Sequence, residues 1–232
     1  MKLATVALDG LDFVRDRTLD DPAFPPGFFD RVDPAVDVAF YASPRLVTHI
    51  DRAAIEAVGR IYRELGIEGE VLDLMSSWIS HFPAPPRRLV GLGLNGPELQ
   101  ANRMLAERVI QDLNLAPRLP FGDEAFDDVV CCVSVDYLTQ PVRVFAEVGR
   151  VLRPGGRFVV TFSDRCFPSK AIRGWLATDD AGRVEIVRGY FRLAGSFQEA
   201  SAELGTDDGD GGDPLYAVWA ERGLTADRSD LP

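Results

Sequence analysis

The residues with the clearest chemical potential in this 232-residue chain follow a short apolar segment, Val71-Leu72-Asp73-Leu74. Such a segment is typical of a buried parallel strand, and its acid lies where α/β proteins that bind nucleotides hold their ligands. A glycine-rich turn usually comes next, because glycine lets the backbone approach the ligand closely. Here the turn reads Met75-Ser76-Ser77-Trp78. The sequence therefore predicts a ligand-binding strand end whose turn departs from its commonest form.

Proton transfer would require a second group of residues. His81 comes shortly after this turn, and Asp136 and Tyr137 follow another apolar segment. A free imidazole titrates near neutral pH and a carboxylate at a strand end can orient or deprotonate a reacting atom, so these three are our candidate catalytic residues. Each also has a structural alternative: an ordinary packed histidine, a helix cap at Asp136 and a packed ring at Tyr137. His49, the second histidine, has the same two interpretations as His81: a general base or an ordinary packed histidine.

The elements that must position these residues alternate along the chain. The first helix is predicted over residues 51–65, with Asp51 as its N-cap and Gly66 at its end. After residue 70, short apolar strands alternate with helices, which predicts parallel pairing with both sheet faces covered. The predicted strands are 71–74, 89–94, 108–111, 128–135 and 157–162, and the predicted helices are 97–107, 142–152, 170–177 and 183–193.

The C-terminal part changes character. Strands are predicted at 196–204 and 215–220, joined by a Gly/Asp-rich loop that suits antiparallel neighbours. The fold class is therefore α/β: a doubly wound, mostly parallel sheet with a C-terminal antiparallel hairpin, in three α/β/α layers. We expect an N-terminal arm over residues 1–50, a main domain over 51–222 and a tail over 223–232. The arm is rich in proline and phenylalanine and offers a surface for a homodimer, so the oligomeric state stays open.

Composition narrows the range of partners. The net charge is −11, which disfavours nucleic acid and anionic membranes, since both are bound through clustered Lys and Arg. We expect a small-molecule ligand. The Gly/Asp loop lacks the ligand spacing of a calcium loop, and no His or Cys spacing predicts a metal site. No signal peptide, membrane span or CxxC pair is evident among the residues, so we expect a cytoplasmic location.

Two further motifs carry a family resemblance. Residues 119–127 read LPFGDEAFD and residues 147–158 read EVGRVLRPGGRF. In the second motif a helix ends near Leu152, Pro154 forbids its continuation, and Gly155-Gly156 turns the chain into a strand. Together, at this spacing, the motifs resemble the class I S-adenosylmethionine (SAM)-dependent methyltransferases of the methyltransferase type 11 kind, over roughly residues 50–220. The resemblance implies a Rossmann-like fold.

The resemblance also implies a cofactor, SAM, and a small-molecule methyl acceptor. Asp73 would lie near the methionine amino group of SAM and Asp112 near the adenine amino group. Arg45, in a segment that often covers the cofactor as a lid, would pair with the methionine carboxylate. The expected cofactor contacts are Tyr41, Arg45, Asp73, Met75, Ser76, Ser77, Gly93, Leu94, Asn95, Asp112, Leu113, Asn114 and Ser134.

Two departures from the family pattern keep an alternative open. The turn after Asp73 lacks its glycines, and Gly93 stands where the family places an acid for the ribose hydroxyls. Asn95 is our candidate to replace that acid. The main hypothesis is a SAM-dependent methyltransferase; the alternative is a catalytically silent relative that binds SAM, its demethylated product SAH, or a partner protein. An NAD-dependent oxidoreductase is disfavoured, because the Gly-x-Gly-x-x-Gly turn is absent.

Overall fold

A computed structural model describes residues 11–206 and 212–223 of the chain. Within them, seven strands form one sheet in the order β3-β2-β1-β4-β5-β7-β6. The strands are β1 Glu70–Leu74, β2 Arg88–Gly93, β3 Glu107–Ile110, β4 Phe126–Cys132, β5 Leu152–Phe162, β6 Ser201–Leu204 and β7 Tyr216–Glu221. The first five strands pair in parallel, and β7 lies antiparallel between β5 and β6. The predicted fold class is confirmed.

The chain order creates a switch point between β1 and β4. From β1 the chain moves outward through β2 to β3 and then returns to the other side of β1. Leu74, at the end of β1, pairs with Leu92 of β2 and with Cys131 of β4. The residues that follow these three strands therefore share one edge of the sheet, where ligands of open α/β sheets bind.

Helices cover both faces of the sheet. They are α1 Asp37–Phe40, α2 Arg52–Glu64, α3 Gly96–Ala101, α4 Pro141–Val151, α5 Arg173–Leu176 and α6 Asp180–Ala194. Asp51 accepts a hydrogen bond from Ala54 N at the start of α2, as predicted, and Gly66 ends it with a φ of +64°. Buried residues of α4 and α6 pack in one apolar cluster, and those of α2 pack in another. Alternate residues of β1 and β4 belong to the two clusters, so each helical layer lies on its own face.

Several predicted bounds were wrong. The helix predicted over 97–107 ends at Ala101, because Asn102 accepts a hydrogen bond from Met104 N and starts a turn instead. The strand predicted over 128–135 ends at Cys132, since Val133 turns into left-handed backbone with a φ of +43°. The strand predicted from 196 begins at Ser201. Most of the Gly/Asp loop, residues 207–211, and most of the predicted tail lie outside the described residues.

Buried charges join the N-terminal segment to the body. Lys170 is fully buried, and its ammonium lies 3.0 Å from Asp33 and 3.3 Å from Asp37. Arg31 forms a second ion pair with Asp37, at 2.7 Å. Such buried pairs are costly to break, because removing one partner leaves the other charge buried and uncompensated. The network therefore fixes the position of α1 against the loop that follows β5.

Candidate functional site

A cavity of about 390 Å³ lies at the carboxyl ends of β1, β2, β3 and β4. Residues 41–49, which we call the lid segment, contribute its other wall together with the loop that follows β5. The volume is within the range of small-molecule sites, and the position is the one that the sheet topology favours for a ligand. Within the described part of the chain, no three His, Cys, Asp or Glu side chains come together as a metal site would require.

The cavity brings together most of the residues that the sequence singled out. Every predicted cofactor contact lines it: Tyr41, Arg45, Asp73, Met75, Ser76, Ser77, Gly93, Leu94, Asn95, Asp112, Leu113, Asn114 and Ser134. His81 and Tyr137 line it as well. Asp136 is not among the lining residues, because its side chain is buried beneath the cavity wall, with 3% exposed.

The turn after β1 keeps a glycine-like shape without glycines. Met75 has a φ of +57°, the left-handed region that favours glycine. The hydroxyls of Ser76 and Ser80 both donate to Asp73 Oδ2, each at 2.6 Å. Burial raises the pKa of Asp73 to about 6, and the two hydroxyl donors oppose part of that rise. The serines thus supply hydrogen bonds that hold this turn around a buried acid.

Position 93 requires glycine because the turn after β1 lies very close to the end of β2. Ser76 N donates to Leu92 O at 2.7 Å, which brings the Ser76 carbonyl against the end of the strand. A Cβ atom on Gly93 would lie 2.1 Å from that carbonyl oxygen. No side chain fits at this distance, so the acid that the family pattern places there is sterically excluded.

Hydrogen bonds that involve side chains tie the lid segment to the sheet edge. Asn95 Nδ2 donates to Tyr41 O at 2.7 Å, and Arg45 N donates to Glu98 Oε1 at 2.7 Å. Trp78 Nε1 donates to Val47 O at 3.0 Å. The Asn95 side chain also caps α3, since its Oδ1 accepts from Glu98 N. Both ends of the Asn95 amide are therefore engaged within the protein, which weakens our prediction that it binds a ribose.

Glu98 is a site residue that the sequence analysis missed. It is buried, with 7% exposed, it lines the cavity, and its Oε2 accepts from Ser77 Oγ at 2.6 Å. A signal was present in the sequence. Asn95 followed three residues later by a glutamate is a capping-box pattern, which predicts a helix start with its acid turned back toward the strand end.

Arg45 occupies an aromatic pocket with one donor unused. Its guanidinium carbon lies 4.7 Å from the ring centroid of Phe40 and 5.4 Å from those of Tyr41 and Phe167, within the range of cation–π contacts. Nη2 donates to Phe40 O at 2.9 Å, whereas Nη1 is buried without a hydrogen-bond partner. A buried, unpaired guanidinium nitrogen that lines a cavity is suited to a carboxylate.

Asp112 presents an unpaired acceptor to the cavity, whereas Arg45 presents an unpaired donor. Its Oδ1 accepts from Asn114 N at 2.9 Å and so shapes the loop after β3, but its Oδ2 is buried without a partner. The Asn114 amide, by contrast, is fully engaged. It donates to Asp37 Oδ2 at 2.8 Å and to Tyr137 O at 2.9 Å, and it accepts from Thr139 N at 2.7 Å. Asp112 therefore offers an acceptor to a ligand, while Asn114 supports the wall.

The candidate catalytic groups have environments that limit proton transfer. Burial lowers the pKa of His81 to about 4, so the imidazole is neutral at physiological pH and is a weaker base than a free histidine. Its Nδ1 is buried without a partner. Tyr137 Oη accepts from Phe167 N at 2.9 Å, and burial raises the pKa of this phenol. Burial also raises the pKa of Asp136 to about 7.

Backbone strain is concentrated around the cavity. Met75, His81 and Val133 all have positive φ values without being glycine, and all three line the cavity. The φ of +43° at Val133 is the most unusual, because a β-branched side chain is crowded in the left-handed region. Such conformations cost about 1–3 kcal/mol each and cluster at functional sites, where the surrounding structure holds them in place.

The unpaired groups match the cofactor that the family resemblance implies. The adenine amino group of SAM is a donor, which suits Asp112 Oδ2, and its methionine carboxylate is an acceptor, which suits Arg45 Nη1. Asp73 adds a buried acid at the end of β1. Gly93 provides no group for the ribose.

Comparison with known proteins identifies the domain. A family model described as a methyltransferase domain matches residues 68–160. Methyltransferase GfsG from Streptomyces halstedii is 25% identical over 137 residues, which cover 54% of this chain and 49% of that protein. The bifunctional biotin biosynthesis protein BioHC from Teredinibacter turnerae is 35% identical over 57 residues, covering 25% of this chain and 10% of that protein. The chain thus spans about half the length of GfsG and a much smaller part of BioHC.

Solved structures share the fold at low sequence identity. A SAM-dependent methyltransferase from Thermotoga maritima has a TM-score of 0.54 and 17% identity, covering 74% of this chain and 90% of that one. The PH0226 protein from Pyrococcus horikoshii has a TM-score of 0.54 and 18% identity, covering 79% and 98%. The [4+2]-cyclase SpnF has a TM-score of 0.52 and 15% identity, covering 82% and 92%. The family-model match identifies residues 68–160 as a methyltransferase domain, and the strand order and these structures show that the chain has the fold of class I SAM-dependent methyltransferases.

Proposed function

We propose that this protein transfers the methyl group of SAM to a small-molecule acceptor held in the cavity beneath the lid segment. The observation that carries the proposal is the pair of unpaired buried groups, Asp112 Oδ2 and Arg45 Nη1, on the walls of one cavity at the switch point of the sheet. Buried polar groups without partners are uncommon in proteins, and two of opposite chemistry in one cavity suit a ligand that supplies both partners.

Each residue then has a definite task. Asp112 accepts from the adenine amino group, and Arg45 binds the methionine carboxylate with Nη1 while Phe40 and Phe167 hold its guanidinium plane. Asp73 provides a negative charge at the end of β1 above a pH of about 6. The bound cofactor supplies an electrophilic methyl group on a sulfonium. Because positioning contributes most to such a displacement, the lid segment serves by excluding water and fixing the geometry.

The acceptor wall favours an organic small molecule. Tyr41, Tyr137, Cys166 and Phe167 line the cavity on the side of the loop after β5. Burial raises the pKa of Cys166 to about 12, so this thiol stays protonated and does not compete as a nucleophile. Since His81 is a weak base here, the proposal favours an acceptor atom that is already nucleophilic at neutral pH.

Calorimetry tests cofactor binding first. We expect SAM and SAH to bind the wild-type protein, and we expect Arg45→Gln to weaken SAH while leaving adenosine, which has no carboxylate, at its wild-type affinity. Arg52→Gln is the matched control, because Arg52 is 92% exposed on α2. Failure of the wild-type protein to bind SAM or SAH at millimolar concentration would overturn the proposal. Methyl transfer from labelled SAM across an acceptor library then tests turnover.

A catalytically silent protein that binds SAM, SAH or a partner protein is the second candidate. It is favoured by the low pKa of His81 and by the position of Asp136 outside the cavity, which leave two of the three candidate bases poorly suited to proton transfer. The related fold of SpnF belongs to a protein named as a [4+2]-cyclase, so other chemistry can accompany this architecture. Tight SAM binding without methyl transfer to any acceptor would support this candidate.

We extend the proposal to the compartment and the oligomeric state of the protein. We place the protein in the cytoplasm, because Cys131, Cys132 and Cys166 are all free thiols and suit a reducing compartment. No helix among the described residues is long and apolar enough to cross a membrane. Light scattering at several protein concentrations would distinguish a monomer from the homodimer that the N-terminal arm suggests.

A further inference from the structure

Glu98 has a buried side-chain carboxylate with few hydrogen-bond partners. Its carboxylate accepts two hydrogen bonds, from Arg45 N on Oε1 and from Ser77 Oγ on Oε2. Both donors are uncharged, and among residues 11–206 and 212–223 no ion pair joins Glu98 to a basic side chain. A buried carboxylate with so little compensation favours further hydrogen-bond donors. Because Glu98 lines the cavity, a ligand can provide them.

The carboxylate has the capacity for two more donors. Each oxygen of an ionised carboxylate has about two lone-pair sites, and one donor occupies each oxygen here. One site therefore remains on each oxygen. A vicinal diol, with two adjacent hydroxyl donors, matches two free sites on the two oxygens of one carboxylate.

The neighbouring residues leave this task to Glu98. Gly93 has no carboxylate, and the 2.1 Å approach of Ser76 O excludes one from that position. Asn95 uses Oδ1 to cap α3 and Nδ2 to hold the lid segment. Glu98 lies in the first turn of the helix that follows β2, so its side chain returns an acid to the end of the strand where Gly93 lacks one.

We propose that Glu98 binds the ribose hydroxyls of the cofactor in place of the acid that Gly93 excludes. The inference rests on the proposed function, since it takes SAM or SAH as the ligand. Glu98 also contributes to the position of the lid segment. Its Oε1 holds the backbone of Arg45, whose side chain carries the unpaired Nη1. Ribose binding is thereby coupled to the position of the lid segment.

Calorimetry with SAH and with an SAH analogue that lacks both ribose hydroxyls tests the proposal. We expect Glu98→Gln to weaken SAH binding by about tenfold to a hundredfold, because charge-assisted hydrogen bonds to the hydroxyls are lost. The variant keeps a carbonyl oxygen for Arg45 N, so the lid contact survives. The hydroxyl-free analogue should bind wild type and Glu98→Gln with the same affinity.

Two controls separate this role from others. Trp78→Phe loosens the lid segment by removing the hydrogen bond to Val47 O and does not touch Glu98, so it should weaken SAH and the analogue by the same factor. Glu56→Gln, on an exposed residue of α2, should change neither affinity. If Glu98→Gln weakened both ligands equally, or weakened neither, the role of Glu98 in ribose binding would be overturned. The proposed function would be unaffected by either result. Absence of SAH binding to the wild-type protein would instead overturn the proposed function.

Discussion

The turn after β1 and the loop after β3 both carry an acid at a strand end and both line the same cavity, but they use their acids differently. Asp73 Oδ2 accepts from two serine hydroxyls of its own turn and its surroundings. Asp112 uses one oxygen on the backbone of its own loop and leaves the other buried without a partner. Asp73 thus stabilises the turn after β1, whereas Asp112 retains an unpaired acceptor for a ligand.

The difference shows how a binding site can lose the usual glycines of its first turn. In the turn after β1, the hydroxyls of Ser76 and Ser80 bind Asp73, and the backbone hydrogen bond from Ser76 N to Leu92 O brings Ser76 O close to Gly93. In the loop after β3, a single carboxylate oxygen shapes the backbone, so no further polar groups are consumed. Substitutions in the first region should therefore affect stability most, and substitutions in the second should affect affinity most.

The largest effect is expected at Gly93. Gly93→Ala places a Cβ atom 2.1 Å from Ser76 O, and backbone on both sides has to move to relieve the overlap. Overpacking of this kind costs about 1–3 kcal/mol or more, and we expect the upper end because the contact is with backbone rather than a flexible side chain. Urea denaturation, read as the free energy of unfolding, measures the loss.

Gly122→Ala is the matched control for that variant. A Cβ atom at Gly122 would meet nothing within 4 Å, and the backbone there is not in the left-handed region, so the stability of Gly122→Ala should stay close to wild type. Equal stability of Gly93→Ala and Gly122→Ala would contradict the close packing of the turn and would remove the steric reason for the missing acid.

The sequence predicted the fold well because its local signals were strong. Asp51 caps α2 as its residue type predicts, and α4 ends at Val151, next to the predicted Leu152. The strand predicted from Arg157 was wrong in its start, because β5 begins at Leu152 and includes Pro154, Gly155 and Gly156. Asp73 and Asp112 were found because the position of a strand end also fixes the position of the cavity.

The missing parts of the site depend on distances that no local pattern encodes. The need for glycine at position 93 arises from Ser76, seventeen residues earlier, through a single tertiary contact. Asn95 and Asn114 have suitable side chains for a ligand, but the tertiary structure uses those amides to hold Tyr41 and Asp37. Residue type can indicate what a side chain is able to bind, whereas only the fold decides whether its donors and acceptors remain free.

Asp136, which follows β4, is a third acid at a strand end, and its side chain does not line the cavity. We expect it to affect how the free energy of unfolding depends on pH. Burial raises its pKa from 3.8 to about 7. Between those values the unfolded chain releases the proton while the folded protein retains it, so this residue lowers the free energy of unfolding as pH rises from about 4 to about 7. The loss is about 1.4 kcal/mol for each unit by which the folded pKa is raised.

Asp136→Asn should remove that dependence. Asp73 and His81 titrate in both proteins, so the difference between the two stability curves isolates Asp136. We expect the variant to gain stability relative to wild type across the window from about pH 4 to about pH 7, measured by urea denaturation at successive pH values. Parallel curves for the two proteins would show that Asp136 is not a buried titrating group.

A smaller effect, on affinity alone, is expected at Asp112. In Asp112→Asn the amide oxygen can still accept from Asn114 N, while the second oxygen becomes an amide nitrogen, which would face the adenine amino group in the proposed complex. We expect SAH affinity measured by calorimetry to fall about tenfold, because a buried acceptor is replaced by a donor, and unfolding to change little. Asp21→Asn is the control, since Asp21 makes the same local turn with Ala23 N away from the cavity. Unchanged SAH affinity in Asp112→Asn would remove Asp112 from the adenine site.

The smallest effect is expected at Trp78, where the turn after β1 touches the lid segment. Trp78→Phe removes the hydrogen bond to Val47 O but keeps an aromatic ring, and the bonds from Asn95 and to Glu98 remain. An exposed hydrogen bond contributes about 1 kcal/mol or less, which corresponds to at most about a fivefold increase in the open population of the lid segment. Limited proteolysis within residues 41–49 measures that population, with Leu46→Ala as a control that alters an exposed lid side chain without removing a tether. An increase much larger than fivefold would mean that the turn after β1, rather than α3, holds the lid closed, and the division between a region that sets shape and a region that binds ligand would have to be redrawn.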